Sequence, residues 1–237
     1  MSPLAIDLFC GLGGWTDGCL AEGYDVIGFD IEQHEYDEHR YQGMLCIQDV
    51  LTLHGSQFKG ATLIVASPPC QAYSYRAMPW KRAKALPPPD NTLFESCFRI
   101  QREACAAAGH HIPLIVENVR GAQKWVGRAR WNYGSFYLWG DVPALMPVTL
   151  RPPVKTKGHT HRRDGHPHTK RLTNPAEFAG LKQPGLSGKR VNGKGDIWFQ
   201  DGAAQYGSKS SSRKAASALI AKIPLPLSRY IASVFRP

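Results

Sequence analysis

Short apolar runs recur through the first 140 residues of the chain, and each ends at a glycine, a proline, a cysteine or an acid. Runs of four to six residues with little polar alternation are typical of strands buried on both faces, as in a parallel sheet. The pattern therefore predicts a sheet of mostly parallel strands. These strands are Leu4–Phe9, Asp25–Phe29, Met44–Gln48, Thr62–Ala66, Ile112–Val116 and Phe136–Trp139.

Segments with helical spacing lie between and after these strands. Thr92 and Glu95 have the spacing of a capping box, which predicts that a helix begins there. Pro224 and Pro226 precede the last helical segment. Alternating strands and helices predict an α/β fold with a Rossmann-like sheet. The predicted helices are Trp15–Glu22, Thr92–Ala108 and a C-terminal helix with a buried stripe of Leu227, Ile231, Val234 and Phe235.

A glycine-rich turn, Cys10-Gly-Leu-Gly-Gly14, joins the first strand to the first helix. Glycines let the backbone approach a nucleotide-like ligand closely, and Asp30, after the next strand, is placed to accept hydrogen bonds from ribose hydroxyls. Asp49 follows a third strand, where an acid either meets an adenine amino group or forms a surface turn. The turn lacks the full G-x-G-x-x-G pattern, and no phosphate-loop lysine follows. A nucleoside ligand without phosphates, such as S-adenosylmethionine, fits better than NAD or ATP.

A cysteine and a glutamate follow two of the buried strands. Pro69 stops one strand and holds Cys70 at the sheet edge, because proline has no N–H to continue the ladder. The next strand brings Glu117 to the same edge, so a thiol and a carboxyl share one crevice. Two plainer interpretations stay open at this point, with Cys70 as a small buried hydrophobe and Glu117 as a helix cap.

Two cationic features lie near these residues. Residues 72–89 combine tyrosine, tryptophan, arginine and lysine before three consecutive prolines. This composition is typical of a loop that closes over a nucleic-acid backbone, or of a disordered linker. Arg128 and Arg130 have alternate spacing, so both guanidinium groups face the same way on an extended chain.

The positive charge is concentrated in one segment. Residues 1–150 carry 12 Lys/Arg against 15 Asp/Glu, and residues 151–214 carry 14 against 4, so their net charges are −3 and +10. A basic block of this kind predicts a polyanion as partner, although solubility alone accounts for many charge runs. We expect a catalytic and cofactor-binding domain at 1–150, an irregular basic lobe at 151–213 and a closing helical segment at 214–237.

Six cysteines lie in the first half of the chain, and none forms a Cys-x-x-Cys pair. This spacing argues against a disulfide framework and a structural zinc site, and it favours a reducing compartment. No signal peptide and no uncharged stretch of about 18 residues is present. We therefore expect a soluble cytoplasmic protein with no bound metal and no membrane contact.

Three motifs occur in order: Asp7-Leu-Phe-Cys-Gly-Leu-Gly-Gly14, Pro69-Cys-Gln71 and Glu117-Asn-Val119. Together they resemble the DNA (cytosine-5)-methyltransferase family over residues 1–140, and Ile223-Pro-Leu-Pro-Leu227 resembles the last motif of that family. Two positions depart from the family pattern. Val126 replaces the glutamine of Gln-x-Arg-x-Arg, and Ile220-Ala221 replace a Gly-Asn pair.

The resemblance implies an S-adenosylmethionine-dependent enzyme that methylates C5 of cytosine in DNA, on a base flipped out of the duplex. Cys70 would attack C6 of the ring, Glu117 would hydrogen-bond at N3, and Arg128 and Arg130 would also belong to the catalytic centre. Residues 151–213 would be the target-recognition region, and the C-terminal helix would pack beside the first strand. The implied cofactor contacts are Phe9, Gly11, Gly13, Gly14, Asp30, Ile31, Asp49, Val50 and Pro69.

The implied partner is double-stranded DNA, bound by a monomeric prokaryotic or phage-encoded enzyme, with a cognate restriction endonuclease as a further partner. A tRNA cytosine-5 methyltransferase shares these motifs, but the Cys-Phe-Thr signature of that branch is absent. A non-catalytic DNA-binding relative would have lost the thiol or the acid, and both are present. A nicotinamide-dependent oxidoreductase would need the full dinucleotide turn.

Overall fold

The computed structural model describes residues 2–36, 39–73, 87–146, 214, 218–219 and 221–237. Within these ranges, helices cover both faces of a central seven-stranded sheet, which confirms the predicted α/β, Rossmann-like fold. The predicted target-recognition region, 151–213, and most of the loop 72–89 lie outside the described residues. The strands are β1 Leu4–Leu8, β2 Asp25–Asp30, β3 Glu35–Tyr36, β4 His39–Arg40, β5 Met44–Ile47, β6 Leu63–Ala66, β7 Leu114–Asn118, β8 Trp131–Tyr133 and β9 Phe136–Gly140; the α-helices are α1 Gly14–Ala21, α2 Thr92–Ala108, α3 Gln123–Val126 and α4 Leu225–Phe235.

The order of strands in the sheet is β5-β2-β1-β6-β7-β9-β8, while β3 and β4 form a separate hairpin. Strands β5, β2, β1, β6 and β7 are parallel, and β9 is antiparallel to both β7 and β8. The chain goes from β1 to β2 and β5 on one side, then returns to β6 on the other side. The order therefore reverses between β1 and β6, which is where open α/β sheets bind their ligands.

Alternate residues of the central strands face two separate cores. Ile64 and Leu114 contribute to the core beneath α2, whereas Leu63 and Ile115 contribute to the core beneath α1 and α4. All four side chains are fully buried. A strand buried on both faces has no polar alternation, which explains why short apolar runs were sufficient to predict the sheet.

Helix α4 docks on α1, and its buried residues share an apolar cluster with Ala5 of β1. The Tyr24 hydroxyl, after α1, donates to Ala232 O at 3.0 Å, and Arg229 Nη2 lies 2.9 Å from Glu22 Oε1. A Cβ built on Gly18 would lie 2.4 Å from Ser228 C, so only glycine allows this approach of the two helices.

The predicted stripe of α4 is partly wrong. Leu227 and Ile231 are fully buried as expected, but Val234 is 43% exposed. Ser228 and Ala232 are buried in its place. The reason is that small residues face α1 where the two backbones come closest, and an apolar side chain at the last turn has no neighbour to cover it.

Two other local predictions differ from the structure. Thr92 is the first residue of α2 and not its cap, because Asn91 occupies the cap position, although its side chain makes no capping hydrogen bond. Asp90 accepts hydrogen bonds from the Thr92 N–H at 2.8 Å and from the Thr92 hydroxyl at 2.5 Å, so it replaces the predicted capping box. Strand β8 was not predicted, since a three-residue strand is too short to show a period.

Candidate active site

The turn after β1 has a left-handed backbone. Phe9, Gly11 and Gly13 have φ angles of 57°, 51° and 73°, and Phe9 is the one non-glycine residue with positive φ in the described ranges. The Gly13 N–H donates to Cys10 O at 2.8 Å and closes the turn. A Cβ built on Gly11 meets no heavy atom within 4 Å. The space in front of Gly11 is therefore open, and a ligand can approach the backbone there.

The other two glycines of the turn have packing roles. A Cβ on Gly14 would lie 2.3 Å from Ile223 N, in the segment that leads into α4. A Cβ on Gly13 would lie 3.0 Å from the Tyr41 ring. Because these two glycines have no Cβ, Ile223 and Tyr41 can pack closely against the turn. Gly11 is the glycine that faces open space.

Asp30 lies at the end of β2 and is bound to the glycine turn. Its Oδ2 accepts from Gly11 N–H at 2.9 Å, and its Oδ1 accepts from Ile31 N–H at 2.8 Å. Burial alone would raise the pKa of Asp30, but the hydrogen bonds from His34 and from the Gly11 N–H outweigh it and hold this pKa below its ordinary value. In return, Asp30 raises the pKa of His34, whose Nε2 lies 3.6 Å from Oδ1. Asp30 is thus an ionised acceptor facing the crevice.

The remaining predicted cofactor contacts occupy different environments. Ile31 is 67% exposed and offers an apolar surface next to Asp30. Asp49 caps a short 3-10 helix, its Oδ1 accepting from Leu51 N–H at 2.9 Å, which matches the surface-turn interpretation. Val50 is fully buried in the core beneath α2. Pro69 is exposed beside Cys70.

The turn that carries Cys70 is held by both neighbouring strands and by α1. The Ser67 N–H donates to Leu8 O at 3.1 Å, and the Trp15 indole donates to Ser67 Oγ at 3.0 Å. The Tyr73 N–H then donates to Cys70 O at 3.0 Å. Cys70 itself is partly exposed. It therefore lies on an ordered turn and not in the core, so the buried-hydrophobe interpretation does not hold.

Glu117 is brought beside this turn by β7. Val116 pairs with Ala66, so Glu117 lies one residue beyond the last paired position of β6. Glu117 is 4% exposed. The amide of the fully buried Asn118 donates to Pro68 O at 2.9 Å. This bond ties the end of β7 to the Cys70 turn, and Glu117 belongs to the strand itself and not to a helix cap.

Arg128 and Arg130 are both exposed, with the half-buried Ala129 between them. The backbone N–H of Arg130 donates to Leu138 O at 2.9 Å, and Leu138 is the residue that pairs with Glu117. Leu138 also pairs with Trp131, so Arg130 lies one residue before the position that is level with Glu117, about two strand spacings, or about 10 Å, away. A side chain as long as arginine can cover much of that distance.

Cys70 is the best placed nucleophile among the cysteines of the chain. Burial raises the pKa of the Cys10, Cys19 and Cys97 thiols, so these three resist forming the reactive thiolate. Cys105 Sγ accepts from Ile112 N–H at 3.2 Å and closes the loop before β7. Cys70, by contrast, is partly exposed on the turn that follows β6.

Two contacts of this site were missed in the sequence. Asn118 stands next to Glu117 in a quoted motif, but its bond to Pro68 depends on the pairing of β6 with β7. Asp7 is fully buried in β1 and accepts from the Thr16 hydroxyl at 2.7 Å, beneath the glycine turn. A polar residue inside an apolar strand was the available signal for Asp7.

The open space, the carboxylate and the apolar surface of this crevice suit S-adenosylmethionine. The ligand could approach the backbone through the open space before Gly11. Asp30 Oδ2 keeps a lone pair for a ribose hydroxyl beyond its hydrogen bond from the Gly11 N–H. The exposed Ile31 would lie against the adenine ring. These residues would hold the cofactor between β1 and β2, next to Cys70.

Comparison with known proteins identifies the family. A model of the C-5 cytosine-specific DNA methylase family matches residues 4–128. A search of curated proteins finds no match. Among the described helices, none is long and apolar enough to cross a bilayer.

Solved structures with similar folds include three methyltransferases. A prophage-encoded protein of E. coli, assigned as a DNA modification methyltransferase, is 27% identical over 53% of this chain and 34% of its own, with a TM-score of 0.38. A mutant of Spodoptera frugiperda DNMT2 is 20% identical over 52% and 37%, with a TM-score of 0.34. The S. pombe Dnmt2 methyltransferase is 18% identical over 52% and 38%, with a TM-score of 0.34. The chain thus matches little more than a third of each solved protein.

The family model covers more than half of the chain and contains all three motifs that surround the crevice. The turn at Gly11, the thiol turn at Cys70 and the strand end at Glu117 lie inside the matched range. The chain therefore belongs to the C-5 cytosine-specific DNA methylase family.

Proposed function

We propose that the chain transfers a methyl group to C5 of cytosine in DNA through a covalent bond between Cys70 and C6 of a flipped base. S-adenosyl-L-methionine is the methyl donor of this family. The observation that carries the proposal is the buried hydrogen bond from Asn118 Nδ2 to Pro68 O, at 2.9 Å. It holds the strand that bears Glu117 against the turn that bears Cys70.

The chemistry requires both groups, because C5 of cytosine is a poor nucleophile. When the Cys70 thiolate bonds to C6, the electrons of the C5–C6 double bond move to C5. Glu117, which is 4% exposed, stabilises this ring by a hydrogen bond at N3. When bound, the cofactor would supply an electrophilic methyl group to C5, and its S–CH3 bond would break to leave a neutral thioether. Loss of the proton from C5 then restores the double bond and expels the Cys70 thiolate.

Two features support DNA as the substrate. The family model describes DNA methylases, and residues 151–214 carry a net charge of +10 that suits a polyanion. The target atoms of a cytosine are inaccessible inside a stacked duplex, so the base must enter the crevice by flipping. One chain carries both Cys70 and Glu117, and the proposal needs no second copy.

Trapping of the covalent intermediate tests the proposal. A duplex with cytosine fluorinated at C5 should be methylated once and then retain the enzyme, because fluorine cannot leave as a cation. The complex should survive a denaturing gel and should map to Cys70. Cys70→Ala should abolish trapping and turnover yet still bind DNA, whereas Glu117→Gln should trap slowly because an amide does not supply the N3 proton.

The other cysteines provide the control. Cys10→Ala and Cys97→Ala should trap at the wild-type rate, since both thiols are buried. Turnover by Cys70→Ala, or a trapped peptide that contains Cys10 or Cys97, would disprove the assignment. Trapping by tRNA with no trapping by DNA would assign the substrate to the alternative branch.

A further inference from the structure

The charge along the ligand-binding edge of the sheet is divided into two halves. The described part of residues 30–49, which follow β2, contains four Asp/Glu and one Arg, whereas residues 118–140, which follow β7, contain four Lys/Arg and no acid. The strand order places β5 and β2 on one side of the β1–β6 reversal and β7 on the other. The edge is therefore acidic where the cofactor residues lie and basic beyond Glu117.

Two cations of the basic half have no assigned role. Arg120 opens a 3-10 turn, Arg120–Ala122, two residues after β7, and Lys124 lies in α3. Both side chains are exposed, and within the described residues neither forms an ion pair. Lys124 Nζ lies 4.3 Å from the centre of the Trp125 ring, which limits its motion.

The turn that presents these cations is packed against the thiol turn. A Cβ built on Gly121 would lie 2.2 Å from Tyr73 O, and Tyr73 in turn bonds Cys70 O through its N–H. Ala122 is fully buried beneath the same turn. Arg120 and Lys124 thus lie on either side of the buried Ala122, at the margin of the turn that carries Cys70.

We propose that Arg120 and Lys124 form a phosphate-binding surface on the catalytic domain, which holds the DNA backbone next to the target nucleotide. The inference rests on the proposed function, and it deepens it by adding a contact outside the basic segment 151–213. The catalytic domain itself needs cations where the DNA backbone approaches it. Residues 1–150 carry a net charge of −3 and would repel a polyanion unless cations face it where the base enters.

Salt dependence of binding measures these contacts. Arg120→Gln/Lys124→Gln and wild type would be titrated with one unmodified duplex between about 50 and about 200 mM salt. Each lost phosphate contact should lower the slope of log K against log salt by about 0.9, and should weaken binding roughly eightfold at about 0.1 M salt. Cofactor affinity by calorimetry should stay unchanged, which also shows that the variant is folded.

Matched variants separate a local contact from net charge. Lys59→Gln removes an exposed cation near the opposite edge, four residues before β6 begins, and should keep the wild-type slope. Arg120→Lys/Lys124→Arg keeps both charges and should also keep it. A double glutamine variant with the wild-type slope, or an equal loss in Lys59→Gln, would overturn the inference alone. Salt-independent binding of duplex by the wild type would overturn the proposed function with it.

Discussion

At the scale of single residues, Asp30 connects the glycine turn to the predicted ribose site. Asp30→Ala should weaken S-adenosylmethionine binding by roughly 1 to 3 kcal/mol, because the ribose hydroxyls and the Gly11 N–H would lose their acceptor. Calorimetry with the purified protein measures the change, with NAD as the ligand that should not bind. Unchanged affinity in the variant, or tighter binding of NAD, would exclude this site for the cofactor.

Asp7 makes a second residue-level prediction, on pH. Burial raises the pKa of Asp7 from 3.8 to about 7, despite the hydrogen bond from Thr16. The folded state therefore holds this proton more tightly than the unfolded state. The resulting stability is complete below pH 3.8 and is lost as the pH rises through about 7, up to roughly 4 kcal/mol in total.

Urea unfolding of wild type and Asp7→Asn between these pH values checks the prediction. The free energy of unfolding of the wild type should fall relative to that of the asparagine variant, which has no proton to lose. Parallel pH profiles for the two proteins would show that Asp7 does not titrate in this range.

Residue-level predictions from the sequence succeeded where one local feature decides the geometry. Pro69 stops a strand by its own chemistry, so Cys70 could be placed on a turn. Asp30 follows the second strand and could be placed at its end. The bond between Asn118 and Pro68 joins positions 50 residues apart, and no spacing rule encodes such a contact.

At the scale of elements, the thiol turn is anchored by the start of α2. The Tyr73 hydroxyl donates to Asn91 Oδ1 at 2.9 Å, next to the first residue of that helix. Tyr73→Phe should slow trapping by fluorinated cytosine by roughly tenfold, because the Cys70 turn loses its fixed orientation. Trapping rates well below the melting temperature report this effect.

Tyr24→Phe is the matched control, since its buried hydroxyl also bonds across the fold, to Ala232 O at 3.0 Å. Both variants should lose about 1 kcal/mol of stability, but only Tyr73→Phe should trap slowly. Equal trapping by the two variants would give Tyr73 a role in stability alone.

Elements were predictable when their pattern was long or apolar. Helix α2, Thr92–Ala108, was predicted with its observed bounds, because apolar residues recur over 17 residues. Its cap was not, since Asp90, Asn91 and Thr92 all suit a cap position, and only the backbone path places Asn91 there and gives the Thr92 N–H to Asp90. The stripe of α4 failed at Val234 because the partner helix, and not the period, decides which small residues are buried.

At the scale of the whole molecule, the basic segment predicts how DNA is held. Charge reversal at four residues of the basic segment should weaken DNA binding steeply and leave cofactor binding intact, since the proposed cofactor residues lie outside that segment. These residues, which lie outside the described structure, are Arg162, Arg163, Lys170 and Arg171. Filter binding and calorimetry on the same preparations would compare the two ligands, and equal losses for both would contradict separate domains.

The contact of α1 with α4 joins residues 208 positions apart in the chain. A ribosome adds about 5 to 20 residues per second, so the start of the chain waits roughly 10 to 40 s for its partner helix. During that time the backbone at Gly14 and Gly18 lacks its contacts with Ile223 and Ser228. Closing such a loop costs about 5 kcal/mol in chain entropy. The nascent protein should therefore gain its methyl-donor site only after Leu225–Phe235 has been synthesised, and a chain halted before residue 225 should not bind the cofactor.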